Sequence, residues 1–232
     1  MYRRVTLEKL FGDRAMEKGN TKQEILAVAL DLFSTHGFEA TSVSQIAEAV
    51  GIRKASLYSH FASKQEILDA LTAQVMEQYD KRSIFIHSDW DNAAFAEAKK
   101  NLSVEEVERL VFEQIRYILH DPLISKARKM LTVEQFRNAQ MAELQTKQNY
   151  TSVMRYFIGL MRFFIRNGRL KDCDPEIMAA QLCLPVSVWI NLCDREPERE
   201  EETMSLIGRH IRQFFKTYGT DESGIATDKE RK

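Results

Sequence analysis

Between Thr41 and Phe61 the sequence reads TSVSQIAEAVGIRKASLYSHF, and few folds accommodate that stretch. Val43, Ile46, Ala47 and Val50 recur at i, i+3, i+4 and i+7, which predicts one buried face on a short helix. Ser42, three residues before Gln45, is a capping-box pattern, in which hydroxyl and amide satisfy backbone donors at the helix start. Gly51 stands just past the last periodic residue, where a positive φ costs little without a Cβ, so the chain turns and Ile52 drops back onto the first helix. Leu57 and Phe61, spaced i, i+4, anchor a second helix inward and leave Lys54, Ala55, Tyr58 and Ser59 outward. A short helix with that outer face fits the major groove of DNA, where small side chains allow close approach and polar ones reach base edges or phosphates. Helical hairpins with a glycine turn also occur in ordinary bundles, so the spacing alone leaves both readings open.

The flanking sequence favours DNA. TKQEILAVALDLFSTHGFEATSVSQIA leads into the turn and ASKQEIL follows it, and Thr21 to Leu71 as a whole resembles the DNA-binding domain of the TetR family of bacterial transcriptional regulators. Beyond Leu71 the resemblance extends only to length and helical character. It implies that Ser44 in the first helix, with Lys54, Ala55 and Ser59 in the second, reads base edges, while Ser42, Ser56, Tyr58, His60 and Lys64 hold phosphates. The chemistry agrees: hydroxyls, a phenol and an ammonium near helix N-termini suit phosphate oxygens, and Lys54 can donate to guanine O6 or N7. Ser56 or Ser59 alone would suit a merely solvated face, and His60 a packed histidine. One position departs from the pattern. Where the family often carries a serine that caps the recognition helix, this chain has Arg53, at a cost of roughly 0.5 to 2 kcal/mol for the missing cap. Arg53 either serves a DNA phosphate or is a bystander.

Composition would not have found DNA. The 232 residues carry 33 Lys and Arg against 34 Asp and Glu, so charge placement matters more than charge sum. With 9 glycines and 4 prolines the chain reads as an all-α globule. The expected organisation is an N-terminal three-helix helix-turn-helix DNA-binding domain over residues 21–68 and a C-terminal helical ligand-binding and dimerisation domain over 69–218. A fourth helix, opened by a capping box at Ser63 and Glu66, links the two. Residues 1–20, with Arg3, Arg4, Lys9, Arg14 and Lys18, read as a flexible arm that either reaches a minor groove or frays in solvent. Residues 219–232 read as a polar, disordered tail.

No apolar stretch approaches about 18 uninterrupted residues and the N-terminus lacks an apolar signal region, so a cytoplasmic protein without a membrane partner is expected. Cys173, Cys183 and Cys193 lack metal-ligand spacing and read as reduced thiols packed among helices. Nucleophile motifs, phosphate-cradling glycine loops and His-carboxylate ligand pairs are absent, so neither an enzyme nor a cofactor or metal is expected.

In the C-terminal region, Ser103 and Glu106 cap a helix that ends near His120, where Asp121 and Pro122 break it, and a further segment runs to about Phe136. A long helix spans about 140–167, and Asp174 with Pro175 opens the next. Residues 83–101, including Trp90, read as a loop or short helices. Met204, Ile207, Ile211 and Phe215 stripe the last helix. The family resemblance implies a homodimer, with its seam on the last two long helices, Pro175 to Cys193 and Glu200 to Tyr218, this stripe included, on a palindromic operator in double-stranded DNA. It also implies an effector cavity among the central helices, for which Met154, Phe157, Met161 and Phe164 are the candidate lining. Core packing explains the same four residues, and Arg155 and Arg162 suit either an acidic ligand or an exposed face. The expected function is that of a repressor released by an unidentified small molecule. The alternative is a ligand-independent DNA-binding protein acting in chromosome organisation or cell division.

Overall fold

The structure is a computed structural model that describes residues 21–90 and 92–220, so the expectations for residues 1–20 and for the tail beyond 220 lie outside it. The described residues are all-α. In chain order the helices are α1 (Thr21–His36), α2 (Val43–Val50), α3 (Lys54–Tyr58), α4 (Lys64–Arg82), α5 (Ile84–His87) and α6 (Ala93–Ala98). They continue with α7 (Val104–His120), α8 (Pro122–Glu134), α9 (Ala139–Thr146), α10 (Ser152–Arg166), α11 (Pro175–Arg195) and α12 (Glu200–Tyr218). A wider π turn, Lys147–Thr151, joins α9 to α10, so the single helix expected over 140–167 is continuous but locally unwound.

The chain divides into two compact units, and the division is not the expected one at residue 68. The first unit holds the described residues up to Arg82 together with His120–Gln145. The second holds Ser83–Leu119 and the described residues from Thr146. α8 therefore belongs with the N-terminal helices although the sequence inserts it between two parts of the second unit. Its start is built by Asp121, whose carboxylate accepts from the N–H groups of Leu123 and Ile124 at 3.1 and 3.0 Å, with Pro122 in the first turn. The same Asp-Pro pair that stops α7 thus begins α8.

In the first unit the apolar stripe of α1 is Ile25, Ala29 and Phe33, all 0% exposed. Ile46 of α2, Leu57 of α3 and Ile67, Leu68 and Leu71 of α4 are buried with it. Glu66 donates its N–H to the Ser63 hydroxyl at 3.1 Å and returns its carboxylate to the Ala62 N–H at 2.5 Å, which fixes the start of α4.

The second unit is aromatic at its centre. The Trp90 ring stacks edge-on against Phe95 at 5.1 Å and against Tyr156 at 5.6 Å, and it also meets Phe163 at 5.4 Å. Gly159 makes room for it: a Cβ there would stand 2.5 Å from the indole. Phe164 packs edge-on against Phe215 at 5.6 Å, and the Arg169 guanidinium lies over the Phe164 ring, 4.6 Å from its centroid. α7 and α12 are tied by Glu108, whose two carboxylate oxygens accept from Arg212 Nη1 at 2.6 and 2.7 Å. Burial pushes the Tyr156 hydroxyl and the Cys183 thiol each up to about 12. Cys183 and Cys193 are packed as expected, but Cys173 is exposed.

Ile207, Ile211 and Phe215 are at most 1% exposed within a single chain, so the stripe assigned to a dimer seam already serves the core of its own unit. Of that set only Met204 is half-buried. The large apolar side chains left outside on α11 are Ile177 and Val188, 56% and 63% exposed. In addition, α11 is long and apolar enough, by length and composition alone, to cross a membrane. Met178, Ala179, Leu182 and Cys183 on its inner face are buried in the apolar core of the unit.

Candidate nucleic-acid interface

α2 and α3 are set by local rules that the sequence carries in full. Ser42 accepts the Gln45 N–H at 3.2 Å and Gln45 Oε1 accepts the Ser42 N–H at 2.7 Å, closing the capping box. Gly51 takes φ 82°, and its N–H reaches the carbonyls of Ala47 and Glu48 at 3.0 Å each. Ile52 N–H then returns to Ala47 O at 2.9 Å. This six-to-one closure ends α2 and sends the chain directly into α3.

α3 is short, and two apolar side chains hold it down: Leu57 is 0% and Phe61 1% exposed. Its other side is free of packing. Arg53, Lys54, Ala55, Ser56, Tyr58 and Ser59 are exposed, as are Ser42 and Ser44 at the start of α2, and His60 is half-buried. The Lys54 ammonium hovers 5.9 Å from the Tyr58 ring centroid, close enough for a weak attraction that keeps both on one face. Ser59 Oγ donates to Ser56 O at 2.6 Å, which leaves its lone pairs as acceptors for a base edge. Arg53 stands at the N-cap with extended backbone and makes no capping bond from its side chain, as its sequence position implies.

Lys64 makes contacts beyond its expected role. Its ammonium donates to Phe38 O at 2.7 Å and Thr41 O at 2.9 Å, with a longer contact to Glu39 O at 3.5 Å, and it lies 4.2 Å from the Phe38 ring centroid. The ammonium is thus engaged with two close carbonyls of the α1–α2 turn, a structural role that the sequence did not suggest. Carbonyl partners of this kind leave no sequence signal, because the acceptors are backbone atoms more than twenty residues away. The same is true of Glu134 at the end of α8, which is 1% exposed and accepts the Phe38 N–H at 2.7 Å. Sequence reading missed it altogether.

The four residues considered for an effector cavity share the interior of the second unit. Met161 and Phe164 are 0% exposed, Phe157 is 4%, and Met154 Sδ lies 3.6 Å from Cys183 Sγ. Phe157 also meets Tyr156 edge-on at 5.0 Å. Arg155 and Arg162 are exposed.

Comparison with known proteins bears on this geometry directly. Residues 25–71 match the family model for bacterial regulatory proteins of the tetR family. The HTH-type transcriptional repressor KstR2 of Rhodococcus jostii (strain RHA1) is 33% identical over 97 residues, which is 41% of this chain and 48% of the relative, so the chain matches about half the length of that protein. The HTH-type transcriptional regulator RutR of Escherichia coli (strain K12) is 24% identical over 168 residues, 72% of this chain and 73% of the relative. Among solved structures, SmeT, the repressor of the Stenotrophomonas maltophilia multidrug efflux pump SmeDEF, superposes with a TM-score of 0.58 at 18% identity, covering 89% of this chain and 93% of that one. At that identity the likeness is one of fold.

Proposed function

We propose, because this chain belongs to the TetR family of bacterial regulatory proteins, that it is a homodimeric, cytoplasmic repressor that leaves a palindromic operator when a small molecule binds its second unit. The coarser part follows from the family: the protein is a DNA-binding transcriptional regulator rather than an enzyme. The observation that carries the finer reading is the outer face of α3, where Lys54, Ala55, Tyr58 and Ser59 stand exposed above the buried Leu57 and Phe61. Among the described residues that face stays exposed, and its chemistry suits the major groove.

The remaining roles divide by chemistry. Ser44, Lys54, Ala55 and Ser59 read base edges. Ser42, Arg53, Ser56, Tyr58 and His60 position phosphates. Two copies related by a two-fold axis would place their α3 helices on half-sites about one helical turn, ~34 Å, or a multiple of it apart. The seam in this reading lies on α11 and α12, and the exposed apolar Ile177 and Val188 on α11 support it. An effector that binds better when the two heads are wrongly spaced must weaken DNA binding by the same factor.

Selection of duplexes from a random pool by the purified protein tests the reading. The expected product is a palindrome bound by two copies, with sedimentation giving a dimer at low micromolar concentration. Recovery of an asymmetric site held by one copy would refute the dimer. The close aromatic packing of Phe164 and Trp90 favours one competitor, a regulator whose second unit is filled by its own side chains and answers to no ligand. A compound panel separates the two: an inducer must both raise the melting temperature and release the selected duplex.

A further inference from the structure

The turn between α1 and α2 is held from two sides by residues distant in sequence. Phe38 donates its N–H to Glu134 Oε1, the last residue of α8, and accepts Lys64 Nζ, the first residue of α4, on its carbonyl, both at 2.7 Å. The ring of Phe38 lies beside the same ammonium and meets Phe33 edge-on at 5.3 Å. Gly37, at φ 84°, lets the carboxylate in: a Cβ there would stand 2.8 Å from Glu134 Oε1. Thr41, 2% exposed, completes the turn by donating its hydroxyl to Gly37 O at 2.8 Å. The next residue, Ser42, is the cap of α2. Whatever sets this turn therefore sets where the helix-turn-helix begins.

The polar contacts close into a frame. Arg82 at the far end of α4 lies 3.8 Å from the Asp121 carboxylate that caps the start of α8. Midway along, Lys126 of α8 pairs with Asp31 of α1. At the far end of α8, Glu134 returns to Phe38. A carboxylate as buried as Glu134 is expensive to keep unless its hydrogen bonds are made, so its bond to Phe38 resists being stretched.

We propose that Glu134 is a positioning residue for DNA reading: through the Phe38 amide it sets the α1–α2 turn, and with it the start of the helix-turn-helix. The inference rests on the DNA-binding function proposed above. Its partner is the protein's own backbone.

Glu134→Ala and Glu134→Gln in the full chain test it. Binding is titrated on the duplex that the unmodified protein selects from a random pool, well below the melting temperature of each variant, where loss of stability alone leaves affinity unchanged. The glutamine keeps an oxygen for the Phe38 N–H, so its affinity should stay within about threefold, whereas the alanine should bind about tenfold more weakly or worse. Hydrogen exchange at the Phe38 amide should quicken in the alanine variant and not in the glutamine one. Should the alanine chain not fold, Glu134→Asp, one methylene short of the amide, takes its place with the same expected loss. If the unmodified protein selects a duplex and the alanine variant binds it equally well, the DNA-binding reading stands and Glu134 is merely structural. Equal loss in alanine and glutamine would also overturn the role, since the retained oxygen would then count for nothing. If no duplex is selected at all, the DNA-binding reading itself falls.

Discussion

The first unit keeps its working surface outside, and the second keeps its candidate working residues inside. In the first, short helices are located by hydrogen bonds to backbone atoms, from Ser42, Gln45, Lys64 and Glu134, and the groups offered to DNA are those that packing leaves over. In the second, long helices close on Trp90, Tyr156, Phe163, Phe164 and Phe215, and a residue that could touch a ligand is the same residue that fills the core. An outward-facing function separates cleanly from folding at the level of single side chains. An inward-facing one does not.

The largest effect that would break this contrast is expected in the second unit. Ile211 is 1% exposed, so Ile211→Glu buries an unpaired carboxylate and should cost about 4 kcal/mol or more, unfolding the unit rather than parting a dimer. Val188, 63% exposed on α11, gives the matched control. Val188→Glu should leave the melting temperature of a dilute monomer nearly unchanged while shifting sedimentation toward monomer. A soluble, fully helical Ile211→Glu monomer would show that the stripe belongs to a seam after all.

Next in size is Lys64. Its ammonium is engaged with two close carbonyls, so Lys64→Ala should destabilise the first unit by about 1.5 to 3 kcal/mol, the range for hydrogen bonds from a charged group. Well below the melting transition the salt dependence of DNA binding should keep its slope. A slope reduced by about one would mean that Lys64 releases its carbonyls and holds a phosphate in the complex.

These two residues also mark what the sequence disclosed. The capping box at Ser42, the left-handed Gly51 and the uncapped Arg53 are local, decided within a few residues, and all are found as the pattern predicts. The π turn at Lys147–Thr151, the turn of Lys64 toward Phe38 and the reach of Glu134 across 96 positions depend on contacts made only after folding. The 3.6-residue stripe on α12 was correctly periodic, but periodicity reports burial and not which chain provides the partner. That is why Ile207 and Ile211 were legible as buried, while the share of α12 between its own core and a seam was not. The aromatic run 156–164 was legible as interior in the same sense, and the division between cavity wall and core was not.

A smaller effect sharpens the first unit's side of the comparison. Lys54 is exposed and bound only loosely to the Tyr58 ring, so Lys54→Ala should leave stability unaltered. On the preferred duplex it should cost about 1 to 3 kcal/mol, and much less on mismatched ones, because a base contact is lost rather than a phosphate contact. Titrations on matched and mismatched duplexes at one salt concentration measure the difference. An equal loss on every sequence would move Lys54 from base reading to phosphate positioning.

The smallest effect expected is at Arg53, and there the two demands on one position pull in opposite directions. The residue occupies the N-cap of α3 with φ −72° and ψ 144°, the backbone that a capping serine adopts, yet its side chain makes no capping bond. Arg53→Ser should therefore gain about 0.5 to 1 kcal/mol of stability by satisfying an amide at the start of α3, with a little more from removing a cation from the positive helix end. If the guanidinium holds a phosphate, the same change should weaken binding on all duplexes alike and lower the salt slope by about one. Thermal melting and a salt series on this single variant read both quantities. Higher stability with unaltered binding would make Arg53 a bystander; higher stability with weaker binding would show a helix start kept suboptimal for the sake of the DNA contact, the outward-facing function overriding a local folding rule at one side chain.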